Sequence, residues 1–252
     1  MKKFIRTDLA CESQSKAVEK YKITAKEING IDTVFSTLEK TGETECVTLY
    51  TGKCWMYDDS HSHSASSAIS ECIKHMLARR LKSNTKILII GLGNRQICSD
   101  SLGPSVIDLL YPTAHIDKFR RKIGTVAPGV EGECGFSAFD ITLSCLKLLS
   151  ADICVVIDSL CAASTERLTT TVQLSMRGIM PGSGVGNHKK EISKSTLGIP
   201  VLSIGVPTVC DLGAVADGDG LSGYYVSPND IDLSVKSMAQ IISKGIELAL
   251  YE

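Results

Sequence analysis

The segment KILII at residues 86–90 decides the fold, together with the GLGN that follows it at residues 91–94. An unbroken apolar run of this length is typical of a parallel strand that is buried on both faces. The GLGN segment predicts a turn, and residues 103–111 then predict a helix with Pro104 near its first turn, where a missing N–H costs little. A strand, a turn and a helix in this order indicate an α/β fold.

The same alternation extends outward from this segment. Residues 23–58 predict short strands with a turn at Gly30, and residues 59–64 a polar break. The further strands are expected at residues 123–127, 152–157, 169–174 (as an edge strand) and 200–206, and the further helices at residues 65–82, 137–149 and 228–250, the last capped by Ser227. We therefore predict a three-layer α/β fold with a mostly parallel or mixed sheet and helices on both faces. It forms a single domain, with an N-terminal elaboration at 9–64 and a core at 65–252.

Composition excludes several classes of protein. The chain has 252 residues, of which 43% are hydrophobic, which excludes intrinsic disorder. Its 27 Lys and Arg balance 28 Asp and Glu, so a broad electrostatic surface for nucleic acid is not expected. No apolar run reaches the roughly 18–20 residues that span a bilayer, and we expect neither membrane association nor a secretory signal. The ten cysteines include no C-x-x-C pair, which favours reduced thiols in a cytoplasmic protein.

Three carboxylates follow the expected parallel strands. Asp100 lies in the loop after residues 86–90, Asp158 directly follows residues 152–157, and Asp211 follows residues 200–206. Because the carboxyl ends of parallel strands meet at one edge of a sheet, all three are expected on the same rim.

Two neighbouring carboxylates cannot both ionise cheaply, so one of them retains a proton. The ionised member can then take a proton from water while the protonated member donates one, which is the chemistry of aspartic peptide hydrolysis. The alternative interpretation is that Asp100 caps a helix and Asp158 closes a turn.

Other catalytic and cofactor templates fail. The chain contains neither H-E-x-x-H nor G-x-S-x-G, and residues 91–96 lack the third glycine of a dinucleotide fingerprint. Residues 182–189 lack the G-K-[ST] of a phosphate loop, and nothing completes a metal site around His61 and His63. We expect no cofactor and no metal.

An ordered set of segments resembles the germination protease (spore protease) family of endospore-forming bacteria. The segments are IRTDLA at 5–10, GLGN at 91–94, DSLGP at 100–104, APGV at 127–130, IDSL at 157–160, PGSGVGN at 181–187, LGIP at 197–200 and GVPTV at 205–209. More distantly, the strand that ends in GLGN is similar to that of the hydrogenase-maturation endopeptidases.

The resemblance implies an atypical aspartic endopeptidase that cuts small acid-soluble spore proteins during germination. It implies Asp100 and Asp158 as the catalytic pair, and we expect Gly93, Asn94 and Asp211 in the supporting loops. It also implies a homotetramer in the cytoplasm of the developing and germinating spore.

The resemblance further implies a zymogen that removes its own propeptide. The segment TDLACE at residues 7–12 matches the family's preferred cut, which places the scissile bond between Asp8 and Leu9 and makes residues 1–8 the propeptide. Asp8 could also cap an N-terminal helix. The chain departs from the family in being shorter, mainly after Val209.

Two other functions stay open. The carboxylates could hold a metal ion, as in a maturation-type endopeptidase, or the chain could be a degenerate relative that binds a peptide or a nucleotide without cutting it.

Overall fold

The computed structural model describes residues 20–182, 189–216, 221 and 223–251. Within these residues nine strands form one mixed sheet. The strands are β1 Tyr21–Ile28, β2 Ile31–Leu38, β3 Thr44–Tyr50, β4 Lys86–Gly91, β5 Lys122–Val126, β6 Ile153–Ala162, β7 Thr171–Ser175, β8 Val201–Asp211 and β9 Tyr225–Val226. The α-helices are α1 Asp59–Leu77, α2 Leu102–Leu109, α3 Glu131–Cys134, α4 Ala138–Leu149, α5 Lys194–Leu197, α6 Leu212–Val215 and α7 Ile231–Leu250.

The sheet joins a parallel half to an antiparallel half. Its order is β1-β2-β3-β7-β8-β6-β4-β5, with β9 beside β8. Strands β8, β6, β4 and β5 run parallel, whereas the remaining pairs are antiparallel. The parallel half is the part that the apolar runs of the sequence predict, since both faces of those strands are covered.

Helices cover both faces of the parallel half. Alternate residues of β4 separate into two cores: Ile87 and Ile89 pack with α1, α2 and α7, whereas Leu88 and Ile90 pack with α4 and α5. The predicted α/β fold with three layers is therefore confirmed.

The helix before β4 is displaced from its predicted position at residues 65–82, because it begins at Asp59 and ends at Leu77. Residues 59–64, expected as a polar break, form the first turns of α1. The cause is a helix cap, because the Asp58 carboxylate accepts a hydrogen bond from the amide of His61 at 3.0 Å. Strands β1 to β3 form as expected, with a turn at Gly30, and extend the same sheet through the pairing of β3 with β7.

Four further elements differ from their predicted positions. Strand β7 is not an edge strand, because it lies between β3 and β8 with all five residues buried. Strands β6 and β8 each continue about five residues beyond their expected ends. Helix α7 begins at Ile231 rather than at residue 228. Before it, the Asp230 carboxylate accepts hydrogen bonds from Lys53 and Trp55, both at 2.9 Å, which holds this residue outside the helix.

Helices α1 and α7 cross closely at Gly245. A Cβ atom at this position would stand 2.6 Å from Cγ2 of Ile69 and 3.0 Å from the carbonyl oxygen of Ser66. We expect Gly245→Ala to lower the free energy of unfolding by about 1–3 kcal/mol, because overpacking outweighs the better helix propensity of alanine.

Urea unfolding checks this prediction, with Gly132→Ala as the matched control. Gly132 is also helical, and a Cβ there would meet nothing within 4 Å. A stability of Gly245→Ala equal to that of the control would contradict the tight crossing.

Candidate active site

The strand order of the parallel half reverses at β4. The chain passes from β4 to β5 on one side and then returns to β6 on the other side, so a crevice opens beyond the carboxyl ends of β4 and β6. Ligands of open α/β sheets bind at such a switch point. The last residue pair of these two strands is Gly91 with Ile157. Asp158 is the next residue on β6, at the position where β4 has left the sheet.

Close backbone packing determines the path of the chain after β4. A Cβ on Gly103, at the start of α2, would stand 2.3 Å from the carbonyl oxygen of Leu92. Gly93 has a φ of +118°, and a Cβ there would stand 1.9 Å from the carbonyl oxygen of Asp100. These contacts admit no side chain. The loop is therefore folded back so that Asp100 lies directly over the end of β4.

Asp100 ends a short 3₁₀ turn, Cys98–Asp100, and its carboxylate is partly buried. Its Oδ2 accepts a hydrogen bond from the backbone amide of Asn94 at 2.9 Å. Burial raises the pKa of this carboxyl above its usual value, although the Asn94 amide and the positive charge of Lys189 act in the opposite direction. Asp100 is thus disposed to hold a proton more strongly than an exposed aspartate.

Asp158 is more deeply buried, with 6% of its surface exposed. Its Oδ1 accepts a hydrogen bond from the amide of Ser159 at 2.9 Å. The residue lies inside β6, which continues to Ala162 beside β8. Asp158 is therefore held by a continuous strand, whereas Asp100 is held by a loop.

Both aspartates line one cleft of about 520 Å³. Leu160 and Val130 contribute apolar surface to it, and Lys189 contributes a positive charge. Of the three carboxylates that follow the parallel strands in the sequence, Asp100 and Asp158 thus line one cleft, next to apolar surface and a cation. Such a cleft can bind an extended chain and expose one of its carbonyl groups to two acids.

The other expected site residues are divided between two places. Gly93 and Asn94 contact Asp100, as described above. Asp211 is 2% exposed at the end of β8, where its Oδ1 accepts hydrogen bonds from the amides of Gly213 at 2.9 Å and Gly223 at 3.4 Å. Its carboxylate thus caps α6 and also binds the amide of Gly223, two residues before β9. Asp8 and Leu9 lie outside the described residues.

The cleft also contains residues that the sequence argument did not select, namely Lys189, Glu131 and Thr208. Thr208 belongs to the GVPTV segment, so the resemblance gave a signal for it. Glu131 and Lys189 belong to no helix or strand that periodicity predicts, so the sequence carries no signal for either of them.

Metal-binding clusters and membrane-spanning helices are both absent from the described part of the chain. Among those residues, no three His, Cys, Asp or Glu side chains are grouped as ligands of a metal ion would be. None of the helices there combines the length and the apolar character that crossing a bilayer requires.

We expect Asp100→Asn to raise the free energy of unfolding at neutral pH. Because the folded-state pKa of Asp100 lies above the unfolded value of about 3.9, ionisation of this carboxyl opposes folding as the pH rises through the folded pKa. Asparagine removes the charge and keeps an oxygen for the Asn94 amide. Urea unfolding near pH 3.5 and at pH 7 should show a gain that is larger at pH 7.

Asp58→Asn is the control, and it should lower the free energy of unfolding at neutral pH. Hydrogen bonds from the Ser60 hydroxyl and the His61 amide lower the pKa of Asp58, so this carboxylate stabilises the fold at neutral pH and loses its effect as the pH falls. A loss of stability in Asp100→Asn at pH 7 would show that its charge is well accommodated.

Comparison with known proteins shows which family the sequence belongs to. The family model described as germination protease matches residues 5–221. A germination protease of Clostridium acetobutylicum is 30% identical over 310 aligned positions, which cover 98% of this chain and 95% of the relative. The germination protease of Bacillus subtilis strain 168 is 34% identical over 238 positions, which cover 84% of this chain and 65% of the relative.

The first of these alignments is longer than this chain, so the Clostridium protein carries segments that have no counterpart here. Among solved structures, a NiFe hydrogenase maturation protease from Thermococcus kodakarensis KOD1 is similar with a TM-score of 0.38 and 15% identity, over 65% of this chain and 93% of that one. The family model and the curated relatives agree over most of the sequence, and the chain belongs to the germination protease family of peptidases.

Proposed function

We propose that this chain is an endopeptidase that begins the degradation of small acid-soluble spore proteins during germination, with Asp100 and Asp158 as its catalytic pair. The observation that carries the proposal is that both carboxyl groups line one cleft at the switch point of the parallel sheet. Membership of the germination protease family supports the same activity.

The proposed mechanism uses one proton that the pair shares. The ionised carboxylate takes a proton from water, and the oxygen of that water attacks the carbonyl carbon of the scissile peptide bond. The protonated carboxyl donates its proton to the carbonyl oxygen. The other carboxyl, which took a proton from water, then passes that proton to the leaving nitrogen as the C–N bond breaks, and the now ionised carboxylate takes back a proton from the hydroxyl groups on the carbonyl carbon. The raised pKa of Asp100 supports a pair that retains its proton, although the two groups titrate as a unit.

The surroundings of the pair suit the substrates that the family resemblance implies. Those substrates have an acidic residue before the cut bond and a large apolar residue after it. The cleft offers the positive charge of Lys189 to the first and the side chains of Val130 and Leu160 to the second. The proposed reaction uses only the two carboxyl groups and water, so it requires no cofactor.

The proposal includes the maturation and assembly that the resemblance implies. Residues 1–8 are a propeptide, and residues 9–252 are one peptidase domain. The mature protein is a homotetramer in the cytoplasm of the developing and germinating spore.

Asp100→Asn and Asp158→Asn should each lower cleavage of a purified small acid-soluble spore protein by at least about 10³-fold, because neither variant can hold a carboxyl pair that shares one proton. Loss of cleaved product on gels and in mass spectra measures the effect. Asp211→Asn is the matched control, since Asp211 is buried like Asp158 but its carboxylate caps a helix, and this variant should keep its activity.

Near-normal activity of either cleft variant would remove that residue from the pair. Activity of the wild-type protein that disappears with a chelator and returns with a divalent ion would favour the metal-dependent alternative. A wild-type protein that binds spore proteins but cuts neither them nor itself would be the non-catalytic relative.

Incubation of the full chain at mildly acidic pH should produce a new N-terminus at Leu9. Mass spectrometry of the intact protein detects the loss of eight residues. Asp100→Asn should remain unprocessed, which separates self-cleavage from a contaminating protease. Asp8→Lys should also block the cut, because it replaces the acidic residue before the scissile bond. Processing at another bond would contradict the assigned site.

A further inference from the structure

Thr208 connects the sheet to the turn that carries Asp100. It lies in β8 with 1% of its surface exposed, and its hydroxyl donates a hydrogen bond to the backbone carbonyl of Ser99 at 2.6 Å. Ser99 immediately precedes Asp100 in the 3₁₀ turn. The bond therefore spans 109 residues of sequence and reaches from β8 to the loop that follows β4.

This contact differs in kind from other hydrogen bonds of the turn. The amide of Asp100 donates to the carbonyl of Ile97 at 2.8 Å, and the amide of Asn94 donates to the Asp100 carboxylate at 2.9 Å. Both of those bonds join residues of the same loop, so they give the loop its shape. The Thr208 bond fixes where the loop stands relative to the sheet.

The place of the loop relative to the sheet sets the geometry of the pair. Asp158 is part of β6, which pairs directly with β8, the strand of Thr208. Asp100 belongs to the loop. A tie between β8 and Ser99 therefore limits how far one carboxyl group can move from the other.

We infer that Thr208 is a positioning residue, whose hydroxyl holds the turn of Asp100 at the working distance from Asp158. This inference rests on the proposed function, because it assigns a role in the reaction of that pair. Thr208 lines the cleft beside both aspartates, but the action assigned to it passes through the carbonyl of Ser99.

The chemistry of the contact predicts the effect of its loss. Thr208→Val keeps the shape of the side chain and leaves the Ser99 carbonyl without this donor, which favours a shift of the turn towards water. A displacement of about 1 Å in a catalytic group can lower the rate roughly 10²-fold. We expect kcat to fall about 10- to 100-fold, with KM changed less than about threefold, because the walls of the cleft remain.

The assay uses a synthetic peptide of residues 3–16 of this chain, which contains the proposed Asp8–Leu9 bond. Thr208→Ser retains the hydroxyl and should restore kcat to within about threefold of the wild type. Thr33→Val is the matched control. Thr33 is also a strand threonine with 1% exposure, and its hydroxyl donates to the carbonyl of Ile31 at 3.0 Å, far from the cleft in the sheet order.

A second readout does not depend on activity. In protein with ¹³C-labelled aspartate, the carboxyl of Asp100 should titrate at lower pH in Thr208→Val than in the wild type, since a looser turn exposes it to water. Thr33→Val and Thr208→Ser should leave that titration unchanged. If Thr208→Val does not fold, Thr208→Ala, which places no methyl group against the carbonyl, takes its place in both measurements.

The outcomes separate this inference from the proposed function. If Asp100→Asn is inactive while Thr208→Val keeps the kcat and the Asp100 titration of the wild type, the inference is wrong and the pair stands. If the wild type does not cut the peptide, the titration still decides, and an unchanged Asp100 in Thr208→Val overturns the role of Thr208. An equal loss of kcat in Thr208→Ser would also overturn it, because the hydroxyl would then not be the cause.

Discussion

The rest of the site depends on one constraint, which is that β4 separates from β6 after the residue pair Gly91 and Ile157. Up to this pair the two strands satisfy each other's backbone groups, and beyond it β6 continues alone on that side. The crevice lies beside β6, in the space beyond the end of β4. The tight contact of Gly103 with Leu92 directs the departing chain, and the contact of Gly93 with Asp100 folds it back over the strand end. A carboxyl group carried by the loop thus comes to line the same cleft as one carried by the strand.

Burial then raises the pKa of the Asp100 carboxyl above that of an exposed aspartate. Asp100 receives one backbone amide at its carboxylate, and this bond together with the charge of Lys189 does not cancel the effect of desolvation on its pKa. A fold gains no stability from such an arrangement, because a buried charge is costly unless it is fully paired. Aspartates with a raised pKa are common at functional sites, and Asp100 lies at the switch point of the sheet, where open α/β sheets bind their ligands.

The sequence predicted the elements whose pattern is set by local burial. The apolar run at residues 86–90 determined β4, its two cores and the parallel half of the sheet, and the strand-end rule led from there to Asp100 and Asp158. It did not predict the first turns of α1, because a cap at Asp58 outweighs the polar character of residues 59–64. The prediction that β7 is an edge strand was wrong. Polar residues such as Gln173 are buried in this strand, so it has the alternating pattern of an edge strand although it lies in the middle of the sheet. The cleft residues Glu131 and Lys189 depend on tertiary contacts that no periodicity reports.

A comparison of Asp158 with Asp211 shows how the topology, rather than the residue type, gives the two carboxylates different surroundings. Both aspartates are buried at 6% exposure or less, and they lie on the neighbouring parallel strands β6 and β8. At Asp211 the strand ends and its own chain turns back, so the amides of Gly213 and Gly223 occupy the carboxylate. At Asp158 the strand continues, and it is the neighbouring strand β4 that ends. The carboxylate of Asp158 consequently borders the cleft that Asp100 also lines, whereas the carboxylate of Asp211 accepts hydrogen bonds from the amides of Gly213 and Gly223. The same strand-end rule selects both residues from the sequence, and only the strand order tells them apart.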